Sequence, residues 1–286
     1  MWNLLAAPPQ VRAPRRLGVP RRQQPHGRSS IDGQWESCTL VPVHLYRGPR
    51  MTKQEPIFTR ATFQFFRDLA RNNRKVWMDA HRERYQEFVV RPFRRLLEEV
   101  SPAILELDSR FDTSGRSGTN FSRINRDIRF AKNKTPYHAQ MYLKFSPPFQ
   151  GQGETGQLYT GISADTVTAG FRIYSGGKRK ESALAQIGET RAAREPKWVR
   201  GQQRRLRRRY ESYWYTTEKG EWTQHDGWPL APDDWKRIRA WIVRRKLKTR
   251  DASRSTFPRE ILKIFRDLYP LLRFTSLEDR NELEKR

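Results

Sequence analysis

The chain has 286 residues, enough for one large domain or two small ones with a substantial core. Hydrophobic residues supply 36%, charged residues 31% and aromatics 12%, with nine Trp, which excludes disorder over most of the length. Lys and Arg number 57 against 31 Asp and Glu, a net charge of +26, so the partners to expect are anionic: nucleic acid, phosphorylated metabolites or anionic membrane.

Lys accounts for only 14 of the 57 bases, so a compositional bias toward Arg explains the charge equally well. Cys38 is the single cysteine, which removes any intrachain disulfide and any Cys-based zinc site. His26, His44, His81, His138 and His225 are scattered and form no HExxH pair. No metal or cofactor is therefore expected. No apolar run approaches the roughly 18 residues of a membrane span, so a soluble, cytoplasmic protein is expected.

Residues 1–50 carry seven prolines and the pairs Arg15-Arg16 and Arg21-Arg22 without a lasting apolar period. They are expected to be a disordered basic extension. Their Arg-rich start resembles a transit peptide, but the prolines would interrupt its amphipathic helix. A sharper expectation is that translation starts at Met51, because folding signals begin only after it; the intact mass of the native protein tests this.

A first helix is predicted from Thr59, with Thr as N-cap and Phe58 and Phe63 as a hydrophobic staple. Asn72-Asn73 ends it and opens a second, whose stripe is Val76, Trp77, Ala80, Tyr85, Phe88 and Val89; Pro92 kinks or restarts that helix. Phe121–Phe130, Ala139–Phe145, Gln157–Ser163 and Val167–Tyr174 then have strand-like composition, and Ala164-Asp165 reads as a hairpin turn. Helical signals return over Lys178–Arg194, Lys197–Tyr215, Asp233–Lys246 and Pro258–Tyr269. Helices, strands and helices in that order predict a single α+β domain over 57–277, with a mainly antiparallel sheet and a charged tail at 278–286.

The densest chemistry lies in Ser122–Tyr137. As a strand, Ser122–Phe130 would put Arg123, Asn125, Asp127 and Arg129 on one face. Arg123, Arg126 and Arg129 can hold a phosphate or carboxylate, with Lys132, Lys134 and Tyr137 closing over it. The same residue types also build a salt-bridged sheet face that only fixes register. Asp127 and His138 are candidate acid/base partners, although a lone His is more often packed.

This motif, with Asn72-Asn73-Arg74-Lys75-Val76-Trp77, resembles the bacterial and fungal family catalogued as domain of unknown function 2461. The pattern S-R-I-x-R-D-x-R-F-x-K-x-K-x-P-Y is met by Arg123, Arg126, Asp127, Arg129, Phe130, Lys132, Lys134, Pro136 and Tyr137. Looser matches extend the resemblance over roughly residues 57 to 277. Met78 stands where an aromatic is usual, and Asn125 where Tyr or His is common. The resemblance implies one α+β domain, weights the motif toward an anion site, and implies no activity.

Two other signals are weighed. Gly151–Gly156 spells GxGxxG, but a strand-like segment follows it where a nucleotide fold needs a helix, so it reads as a loop. Arg204, Arg205, Arg207, Arg208 and Arg209 fan around one helix face beside Tyr213-Trp214-Tyr215. That face is either an ordinary solvated one or a surface that tracks phosphates. Three functional readings follow: a polyanion or nucleic-acid binder, an enzyme or sensor for a small phosphorylated or carboxylated molecule, and a scaffold whose charges only hold the sheet.

Overall fold

The computed structural model describes residues 55–147, 156–175, 184 and 191–276, apart from 130 and 132. The expectations for residues 1–50, for most of Lys178–Arg194, for Gly151–Gly156 up to its last residue and for the tail fall outside these. Helices α1 (Arg60–Arg71), α2 (Lys75–Ala80) and α3 (Arg82–Tyr85) lead into a π-helical turn (Gln86–Val90) and the long α4 (Arg91–Leu107). Strands β1 (Gln140–Phe145), β2 (Gln157–Ser163) and β3 (Val167–Tyr174) follow, then α5 (Pro196–Leu206), β4 (Glu211–Glu218) and β5 (Glu221–Asp226). Next come α6 (Pro232–Arg237), β6 (Ala240–Leu247), α7 (Thr249–Ala252) and α8 (Phe257–Phe274).

The predicted α+β class holds. The six strands form one sheet in the order β1-β2-β3-β6-β4-β5, with every neighbouring pair antiparallel. α1 begins where expected: the Thr59 amide donates to Thr62 Oγ1 at 3.4 Å, and Phe58 and Phe63 are both buried. Pro92 sits in the first turn of α4, directly after the π turn. A proline has no amide to give and crowds the preceding turn, and the wider π register accommodates it. The stripe predicted for the second helix is corrected at Val76, which is 81% exposed, and at Ala80, also exposed, while Met78 is the buried residue of α2.

Two further corrections concern strands. Lys197–Tyr215 was expected to be one helix, but the helix stops at Leu206 and Glu211–Glu218 is a strand. Asp233–Lys246 likewise divides into a short helix and the strand β6. Both contain aromatic and β-branched runs, Tyr213–Thr217 and Trp241–Val243, which fit a pleated surface between two neighbouring strands better than a helix. The turn between β4 and β5 is Lys219-Gly220 with φ of 48° and 85°, the doubly positive geometry of a tight hairpin.

α8 lies across β2 and β3 with α4 packed against it, and α1 packs on β2 and the π turn. The strand residues under these helices alternate with those of the other face. Met141, Leu143, Phe145, Leu158, Ile162, Phe171, Ile173 and Trp241 are buried with Phe58, Phe93, Phe257 and Phe265 in the main core. Edge-on ring pairs recur through it, with Phe58–Phe93 centroids 5.1 Å apart and Phe171–Trp241 5.6 Å. Arg67 of α1 closes on Asp165 in the β2–β3 turn at 3.1 Å.

Candidate functional site

The segment Ser117–Ala139, which joins α4 to the sheet, is not the strand expected at Phe121–Phe130. Its described residues make only isolated bridges, Ser117 to Phe121, Phe121 to Leu143 and Asn125 to Tyr137. The alternate-face arrangement of Arg123, Asn125, Asp127 and Arg129 is therefore replaced by an irregular double-back. The Arg126 amide donates to the Pro136 carbonyl at 2.8 Å, and the His138 amide to that of Ile124 at 2.7 Å. The charged side chains of the interior turn are partly spent on the turn itself. Arg126 donates to the Thr135 carbonyl at 3.2 Å and to its hydroxyl. Arg129 forks onto Asp127 at 2.9 and 2.6 Å, and Lys134 reaches the Ile128 carbonyl at 3.0 Å.

Tyr137 is buried in the main core. Its backbone is gripped by Asn73, whose amide nitrogen donates to the Tyr137 carbonyl at 2.9 Å while its oxygen accepts the Tyr137 amide at 3.0 Å. The two blocks of the sequence motif, 64 positions apart, thus meet through one side chain. His138 is half-buried, and burial followed by the nearby Arg126 charge pulls its imidazole below the ordinary value. Lys132 lies outside the described residues.

Arg123 differs from its neighbours. It is exposed and, with Arg94 of α4, lines a cavity of about 370 Å³ between the π turn and this segment. The arginines after α5 stand elsewhere. Arg205 and Arg209 are drawn to Asp267 of α8, at 2.7 Å to its carbonyl and 2.8 Å to its carboxylate. Arg204, Arg207 and Arg208 are exposed.

The second face of the sheet carries a group that the sequence analysis missed. Strand register places Tyr142 and Lys144 of β1, Gln157 and Tyr159 of β2, and Arg172 and Tyr174 of β3 on this face. Arg244 and Lys246 of β6 and Glu211, Tyr213 and Tyr215 of β4 continue it. The Arg172 guanidinium lies 4.7 Å from the Tyr142 ring centre and 4.6 Å from that of Tyr159, within range of cation–π attraction. Arg244 covers Tyr213 at 4.9 Å.

Two glycines make room on this face, Gly161 for the Tyr142 ring and Gly170 for the close approach of the β6 backbone. A Cβ on Gly161 would stand 2.2 Å from the Tyr142 ring, and one on Gly170 would stand 2.7 Å from Arg244 Cα.

The charges on this face are not evenly balanced. Glu211 pairs with Arg244 at 3.3 Å and Lys246 at 3.1 Å. Lys144 donates to the Gly118 carbonyl at 2.9 Å and Arg172 to Gln157 at 3.2 Å, and neither forms an ion pair among the described residues. Burial, then the charge of Arg172, pushes the Lys144 amine down to about 8. Burial also raises the Tyr142, Tyr159 and Tyr213 phenols, which stay neutral donors.

The family model described as conserved hypothetical protein (DUF2461) matches residues 61–274. The chain belongs to this family. The match spans α1 to α8, so motif, cavity and second sheet face all lie within the family domain. A search of curated proteins returns no match.

Within this family member, the signal for the missed face is present in the sequence. Tyr142/Lys144 and Arg172/Tyr174 each sit two apart, at the parity opposite the apolar residues of their strands, while Arg244/Lys246 continue the parity of Ala240 and Ile242 in β6. Among the described residues no group of His, Cys, Asp and Glu is arranged to hold a metal, and no helix is long and apolar enough to cross a membrane.

Proposed function

We propose that the protein binds a small phosphorylated or carboxylated molecule on the second face of its sheet, with Arg172 and Lys144 holding the anionic group. The observation that carries this reading is that these two cations share one sheet face and have no carboxylate partner among the described residues. Burying an amine, with a like charge on the same face, costs free energy, and the depressed Lys144 amine registers that cost. A bound oxyanion offsets it, and Arg172 retains donors beyond the one given to Gln157. Tyr142 would flank the ligand, with the buried Tyr159 helping to fix the plane of Arg172.

A panel of phosphate esters and short carboxylates tested by thermal unfolding decides the matter. One ligand class should stabilise the protein by roughly 2.7 kcal/mol at a hundred times its dissociation constant, and Arg172→Gln should abolish the shift. A panel without any shift in the native protein would sink the reading.

The net charge of +26 and the exposed Arg204, Arg207 and Arg208 favour a second reading, binding of nucleic acid or another polyanion. These residues precede β4, four strands from the edge strand β1 that flanks the motif, or roughly 19 Å at about 4.8 Å per strand. Only a long ligand can span both. Such binding should weaken on the order of a thousandfold between about 50 and 200 mM salt for some six phosphate contacts. Neutralising Arg204, Arg207 and Arg208 together should reduce that slope; binding with no salt dependence excludes this reading.

A further inference from the structure

The cavity between the π turn and the motif segment has its own charge imbalance, independent of the sheet face. We infer that it is a second anion site, taking a compact oxyanion such as a phosphate or a short carboxylate between Arg94 and Arg123. Both arginines line the cavity, both are exposed, and no carboxylate contributes to its wall. Their neighbours supply the contrast. Arg95, one residue from Arg94, donates to the Glu55 carbonyl at 2.9 Å. Arg126, Arg129 and Lys134, in the same motif as Arg123, donate to carbonyls, a hydroxyl and Asp127. Among the described residues Arg94 and Arg123 have no such partner.

The backbone around Arg123 is fixed rather than loose. On one side Phe121 bridges to Leu143 of the edge strand; the Ser122 amide donates to the Tyr142 carbonyl at 3.0 Å and its hydroxyl accepts the Tyr142 amide at 2.9 Å. On the other side the Ile124 carbonyl accepts the His138 amide. The guanidinium is therefore presented from an anchored stretch, which lowers the entropy lost on gripping a ligand. Opposite, the π turn contributes Gln86 and Val90 to the wall. A π turn inside an α-helix is uncommon and frequently marks a functional position.

The rest of the cavity defines the ligand. Ser117, Gln86 and Asn125 add neutral hydrogen-bonding groups, while Ile124 and Met141 supply apolar surface. Gly115, also in the wall, has φ +73°, where a side chain would be strained and its Cβ would lie 3.2 Å from Leu97 Cδ2. A volume of about 370 Å³ is near the lower end for ligand pockets. The site therefore suits an oxyanion with a small or absent organic tail.

The test titrates the full chain with inorganic phosphate and with methylphosphonate at low ionic strength, by calorimetry and by phosphorus NMR line width. Arg94→Gln and Arg123→Gln should each weaken binding by at least about tenfold, as expected for loss of a charged hydrogen-bond donor. Gln86→Glu, which puts a carboxylate opposite the two arginines, should weaken it as well; circular dichroism confirms that each variant is folded. Arg172→Gln separates the two sites: whatever binding it removes belongs to the sheet face, and the binding that Arg94→Gln and Arg123→Gln remove, and Arg172→Gln spares, belongs to the cavity. Loss of binding in Arg172→Gln alone would move the anion to the sheet face and overturn the cavity site. Equal binding by all variants, or none by the native protein, would overturn it too. A failure here leaves the sheet-face reading standing, and the reverse also holds.

Discussion

The two faces of the sheet are written in the same strands and differ only in parity, yet they have opposite characters. Phe171 and Arg172 are adjacent in β3; one is fully buried against Trp241 and the other lies across two tyrosine rings on the far side. The helix-covered face is almost wholly apolar and draws its stability from area removed from water. The far face keeps tyrosines and cations, including two without an acidic partner among the described residues. Stability and chemistry are thus separated by a single residue step, and each can be perturbed without the other.

The largest expected effect breaks the first face. Phe171→Ala should cost about 3–5 kcal/mol in denaturant unfolding, while ligand affinity of the folded fraction stays close to native. Arg172→Gln, one position along, should cost under about 1 kcal/mol and remove the sheet-face anion binding. Should both unfold the protein alike, the far face is core and the functional reading of it falls.

A smaller loss is expected at the motif. Asn73→Ala leaves the Tyr137 amide and carbonyl without their partner, at about 1–3 kcal/mol. Hydrogen exchange at the Tyr137 amide should accelerate, with no change in binding at Arg172.

The subtlest effect is electrostatic. Lys144 titrates near 8 instead of 10.5, so an anion that prefers the charged amine should bind more weakly as pH rises through about 8, by up to tenfold per unit. In the ligand-free protein the sign is opposite. The cost of holding the charged amine is present below about 8 and is relieved as pH rises toward 10.5, so this residue's contribution to stability grows over that window. Lys144→Met should flatten both profiles, and an unchanged profile would assign the titration to another group.

Much of the fold was legible in the residues. The Thr59 start of α1, the bounds of β2 and β3 with their Ala164-Asp165 turn, and α8 behind Pro258 all carry local signals that tertiary contacts reinforce. β4 and β6 were not legible as strands. Arg207–Arg209 and the acids before Trp235 give helix-like flanks, while what makes strands of Tyr213–Thr217 and Trp241–Val243 is their pairing with each other and with β3. The motif was recognised but its geometry was not. An alternating pattern predicts a strand, and the chain instead doubles back because Asn73, 64 residues away, supplies hydrogen bonds that a neighbouring strand would otherwise provide. The far-face cluster gathers residues from five strands, and their meeting depends on registers that no single segment encodes.

The Ser117–Asn125 stretch also occupies the outer margin of β1, where the Asn120 carbonyl and both Ser122 groups take up hydrogen-bonding positions of Tyr142 and Lys144. β5, at the opposite margin, has nearly all of its residues exposed, Trp222 among them. Unpaired strand margins invite other chains to add on. Among the described residues the margin left open is that of β5, which pairs on one side only, with β4. The segment that bears the family motif therefore also shields the β1 edge, closing one of the sheet's two margins to strand addition.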